Sequence, residues 1–74
     1  MDNNLANDPA WPNEIDSEIF AQRILPALKL IRGHYELGLK AALDVFYDRY
    51  EKLRREKPDQ FSVPKEIYFD GFGS

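Results

Sequence analysis

The chain has 74 residues, a formal net charge of −3, no cysteine, one histidine and one tryptophan, so it holds one small domain with a thin core. The missing thiols exclude a disulfide framework, a thiolate metal site and a cysteine nucleophile, and a single histidine leaves only carboxylate-dominated metal chemistry. With 43% hydrophobic and 31% charged residues, no apolar run near a membrane span and an acidic Met1-Asp2-Asn3-Asn4 start unlike a leader peptide, the expectation is a cytoplasmic binding protein without cofactor, metal or membrane.

Residues 1–16 read as a flexible acidic arm. Asn3, Asn4, Asn7, Asn13, Pro9 and Pro12 break any period. Trp11, biased to extended backbone by Pro12, either packs back on the domain or anchors a partner. Residues 17–25 suit a short extra helix, with Ser17 or Asp16 as N-cap and Glu18 in the first turn. Pro26 favours a new helix starting near Leu25–Ala27, since proline is tolerated only in a first turn. That helix runs to about Arg32, and Gly33-His34-Tyr35-Glu36 reads as a turn.

A longer helix is expected from Leu37 to Glu56, with an apolar stripe at Leu39, Leu43, Phe46, Tyr50 and Leu53 and a stop at Pro58. The spacing also fits one kinked helix from Phe20 to Leu53, whose stripe would need a second copy to cover it. Residues 58–74 form an extended aromatic tail with Phe61, Tyr68, Phe69 and Phe72. The fold class is therefore all-α: a helix-turn-helix hairpin over 17–57 between an arm and a tail.

Charge is segregated. Residues 1–16 carry Asp2, Asp8, Glu14 and Asp16 and no cation, while residues 23–57 carry nine basic against five acidic side chains. The first reading is ordinary helix-surface charge with solvated ends; the sharper ones are that the ends fold back on the middle, or that ends and middle address different partners. His34 with Glu36 or Asp44 is a conceivable acid–base pair without a nucleophile beside it, so no catalytic residue is assigned. Asp44, Asp48 and Glu51 could face a divalent ion, but i,i+4 pairing on a solvated helix face outweighs that. The cations from Arg49 to Lys57 suit a helix C-terminus, and nucleic acid is at most a secondary contact.

The stretch Leu25-Pro26-Ala27-Leu28-Lys29-Leu30-Ile31-Arg32, followed by Leu37-Gly38-Leu39-Lys40, Ala42 and Asp44, resembles the helical hairpin of the ribosomal stalk L7/L12 C-terminal domain. The family's turn glycine is Glu36 here. That resemblance implies a hairpin whose outer cations, Lys29, Arg32 and Lys40, dock on large machinery, translation GTPases in the stalk family. In size and layout the whole chain is similar to small phage-encoded regulators of host bacterial RNA polymerase, of the Xanthomonas phage type. This implies a partner in the host cytoplasm, with inhibition of initiation or antitermination as the outcome.

The combined expectation is a non-enzymatic regulator docking on a multisubunit machine, with RNA polymerase named. Its contacts would be Trp11 as arm anchor, Lys29, Arg32, Lys40 and Arg49 as cations, and Phe69 and Phe72 as apolar tail contacts. The alternatives are a stalk-like adaptor for translation GTPases and a structural homodimer with Leu39–Leu53 as its seam.

Overall fold

The computed structural model describes residues 5–69, with helices α1 over Asn13–Phe20, α2 over Ile24–Tyr35 and α3 over Leu39–Glu56. Short 3-10 turns lie at Leu5–Asn7, Pro58–Gln60 and Lys65–Ile67, and no strand occurs among the described residues. The architecture is the expected all-α hairpin, α2 packed on α3, with the short extra helix packed on α2.

Helix α1 starts earlier than the 17–25 reading. Pro12 holds the N-cap in extended backbone, and Glu14 and Asp16 in the first turn suit the positive end of the helix dipole. Ile15 and Ile19 are one turn apart and wholly buried. Their spacing defines the helix, and the run of capping-type residues at Asn13, Asp16 and Ser17 obscured it.

Helix α2 takes Pro26 in its first turn, as expected, and buries Ile24, Ala27, Leu28 and Ile31. Gly33 does not break it. The helix runs on to Tyr35, whose ring stacks against Trp11 at 5.8 Å. The reversal falls on Glu36, which is left-handed at φ 57° and ψ 49°, and the Leu37 N–H closes on the Arg32 carbonyl at 3.2 Å. This reversal, with α2 packed on α3, excludes the single kinked rod.

Left-handed backbone costs an L-residue about 1–2 kcal/mol. Gln22, at φ 65°, has a compensating contact, since its Nε2 donates to the Tyr68 carbonyl at 2.8 Å. Glu36 is exposed and makes no ion pair or side-chain hydrogen bond among the described residues. Glu36→Gly is expected to stabilise the fold by about 0.5–1 kcal/mol, after the entropy cost of glycine is deducted. Gln22→Gly is expected to yield no gain, because it loses that hydrogen bond. Urea melts of the two variants check the contrast.

Helix α3 buries Ala42, Val45, Phe46, Tyr50 and Leu53. Leu39, its first residue, stands beside the turn and stays 54% exposed. The stripe proposed as a homodimer seam is thus mostly consumed inside the chain.

Both ends belong to the same core. The stretch expected to be a flexible arm is folded from Leu5 onward: its first turn packs on α3, and Ala6 and Trp11 are buried. The tail crosses the helices, as expected, but it also contributes to the interior. Tyr68 is fully buried, its hydroxyl donates to the Ile19 carbonyl, and the Ser62 N–H donates to the Phe20 carbonyl at 3.1 Å. The division into arm, hairpin and tail therefore gives way to one core fed by all three stretches. No helix among the described residues is long and apolar enough to cross a membrane.

Candidate partner-binding surface

The residues proposed for partner contact fall into two groups. Trp11 and Arg49 form an internal knot. The Arg49 guanidinium grips the Asp16 carboxylate with two parallel hydrogen bonds, Nε to Oδ1 at 2.9 Å and Nη2 to Oδ2 at 2.6 Å. Its remaining arm donates to the Ala6 carbonyl at 2.8 Å, and its charge lies 5.0 Å from the centre of the Trp11 ring. The Trp11 indole N–H donates to the same Asp16 carboxylate at 2.8 Å.

Nearby, the Tyr35 hydroxyl donates to Asp8 at 3.0 Å, and Lys52 reaches Asn7 at 3.1 Å. Burial, reinforced by the hydrogen bond and the charge of Asp8, pushes the Tyr35 phenol above its ordinary pKa. The acidic N-terminal stretch thus folds back on the basic middle. The roles expected for Trp11 as a partner anchor and Arg49 as a docking cation are corrected: each already has its partners within the chain.

A second knot holds the tail. Arg54 lies 3.9 Å over the Phe61 ring, donates Nε to the Tyr50 hydroxyl at 3.0 Å and donates Nη2 to the Val63 carbonyl at 2.8 Å. Tyr68 meets the Tyr50 ring at 4.5 Å, and Phe69 packs on Tyr47 at 5.3 Å and Tyr50 at 5.1 Å. Phe69 is half-buried in this cluster rather than free for a partner. Phe72 lies outside the described residues. Arg54 was missed as anything beyond helix-end charge; its only sequence signal was position, one turn after Tyr50.

The other group consists of Lys29, Arg32 and Lys40. All are exposed and belong to no ion pair among the described residues. Their helices come together on either side of the Glu36 turn. Arg32 sits in the last turn of α2, where a cation complements the helix dipole. Lys40 sits in the first turn of α3, where the dipole opposes it and no acidic side chain shares that turn. Leu25, 66% exposed, and Leu39 supply apolar area on the same two helices.

His34 is exposed and packs edge-on to Tyr35 at 4.6 Å, with no carboxylate bonded to it among the described residues. Asp44 and Asp48 are exposed too, and among the described residues no group of three or more histidine or acidic side chains could hold a metal ion. What the hairpin surface offers chemically is charge of both signs and apolar contact. This chain matches no protein-family model, no curated protein and no solved structure.

Proposed function

We propose that this chain is a non-enzymatic regulator that docks through the outer side of its α2–α3 hairpin onto a multisubunit machine, with bacterial RNA polymerase as the target. One observation carries the reading: Lys29, Arg32 and Lys40 are exposed around the hairpin and enter no ion pair among the described residues, while Arg49 and Arg54 are engaged in internal contacts. Cations of this kind steer encounter with an acidic surface and fix orientation, and Leu25 and Leu39 add apolar contact. Regulation follows when the docked chain occupies surface needed by an initiation factor, or binds one conformation of the enzyme better than another. Antitermination is the same effect exerted on an elongating enzyme.

The test is direct binding of the full chain to purified polymerase at low salt, beside purified translation GTPases. Binding to polymerase is expected, and Arg32→Glu combined with Lys40→Glu is expected to weaken it at least about tenfold, mostly through slower association. Both positions are exposed, so helical circular dichroism should stay unchanged. No retention on polymerase ends the assignment. Retention on the GTPases instead, lost in the same variant, supports the stalk-like adaptor reading.

A further inference from the structure

Two stripes of opposite charge stand on the outside of the hairpin. On α2, the exposed Leu25, Lys29 and Arg32 follow at spacings that place them along one flank, and no residue of that helix is acidic. On α3, the exposed Asp44, Tyr47, Asp48 and Glu51 lie opposite the buried Ala42, Phe46 and Leu53, and the exposed Lys40 and Arg55 bound the same face at its two ends, so that it is acidic by one charge. Among the described residues, Lys29, Arg32, Asp44 and Asp48 enter no ion pair, and Glu51 has only an exposed contact with Lys65 at 3.9 Å. Lys52, at pairing distance along the helix from Asp48, turns instead to Glu56 and Asn7. Each stripe also carries one large exposed apolar side chain, Leu25 at 66% and Tyr47 at 45%.

We propose that this chain self-associates, with the cationic flank of α2 in one copy lying against the carboxylate face of α3 in a second. Leu25 and Tyr47 provide the apolar contact. A two-fold arrangement makes the contact twice and closes the pair. Each stripe finds its complementary charge on the other, so a second copy satisfies both at once. A nucleic acid would satisfy Lys29, Arg32, Lys40 and Arg55 but would be repelled by Asp44, Asp48 and Glu51. The exposed surface totals 4808 Å², and a standard interface takes about 800 Å² from each partner. Helix flanks supply less than that, so the pair is weak and sensitive to salt. It shares Lys29 and Arg32 with the docking surface proposed above, and it stands on its own observations if that docking fails.

Sedimentation equilibrium of the full chain tests it, without any other protein present. A reversible dimer is expected at low salt, dissociating at about 0.5 M salt, where screening is nearly complete beyond a few ångström. Lys29→Glu with Arg32→Glu, and separately Asp44→Lys with Asp48→Lys, are each expected to be monomeric. Mixed in equal amounts they should pair with each other, because both contacts are again complementary. The neutral variants Lys29→Gln with Arg32→Gln and Asp44→Asn with Asp48→Asn, which disturb the helices least, should each weaken the dimer about tenfold. A wild-type chain still monomeric near 1 mM at low salt, neutral variants that associate as well as wild type, or folded reversed-charge variants that ignore each other on mixing would overturn the proposal.

Discussion

Arg49→Ala is expected to cost about 3–5 kcal/mol of stability, because it strands the Asp16 carboxylate in a site where both side chains are nearly covered. The side chains of Arg49 and Asp16 are only 14% and 13% exposed, and the guanidinium also satisfies the Ala6 carbonyl and covers Trp11. A domain of this length has about 4–11 kcal/mol in total. The variant should therefore melt about 15–30 °C lower or fail to fold.

Asp16→Asn should cost somewhat less, since a neutral amide oxygen can still accept from the Trp11 indole. Arg49→Lys should recover only part of the loss, because an ammonium lacks the planar fork that spans both carboxylate oxygens. Arg49→Met combined with Asp16→Leu should be more stable than either charge deletion alone, since no unpaired charge is then buried. Thermal melts followed by circular dichroism provide all four values. An Arg49→Ala variant within about 0.5 kcal/mol of wild type would show that the knot contributes little.

Tyr68→Ala is the other large effect. It removes a fully buried ring packed between Tyr50, Phe61 and Phe69, with an expected cost of about 3–5 kcal/mol. Tyr68→Phe keeps the ring and loses only the bond to the Ile19 carbonyl, for about 1–2 kcal/mol.

The pH profile separates the two roles of this side chain. Burial raises the Tyr68 phenol well above its ordinary pKa of 10.0, Tyr50 adds to the rise and Arg54 opposes it. The folded chain thus holds this proton more tightly than the unfolded one. Its contribution is complete below about pH 10 and is lost as pH climbs toward the raised folded value. Tyr35 is shifted in the same direction. Stability should therefore fall steeply in alkali, and Tyr68→Phe should flatten that fall in part, leaving the share due to Tyr35. Urea melts between pH 8 and about 11 read both. An unchanged alkaline slope in Tyr68→Phe would refute the buried-phenol account.

The hairpin was legible in the sequence because its signals are local. Spacings of three and four place Leu28, Ile31, Phe46, Tyr50 and Leu53 on inward faces, and Pro26 marks the start of α2 within a residue or two. The charge segregation also carried information: fold-back of the acidic stretch stood beside the favoured reading of ordinary solvated charge, and Asp16 on Arg49 realises it. The ends were not legible, for a physical reason. Asp16 meets Arg49, Asp8 meets Tyr35 and Tyr68 meets Ile19 across stretches of chain far longer than any helical repeat, so no period records the contact. Polarity and proline at the N-terminal end, and proline around the tail, looked like looseness. They are the turns that let Trp11 and Tyr68 reach the core. At the candidate surface, Lys29, Arg32 and Lys40, singled out through the stalk-hairpin resemblance, are exposed. Sequence alone could not separate them from Arg49, because a charge that will be buried and a charge that will stay wet are written with the same letter.

The position of Trp11 has a practical consequence. It is the sole tryptophan of the chain, and its indole stacks on Tyr35 and lies under the Arg49 guanidinium. Its emission therefore reports, without any label, whether the N-terminal stretch is seated, while far-ultraviolet signals follow the helices as a whole. Recorded in one denaturation, the two traces show whether the N-terminal segment lets go before the helical bundle or together with it.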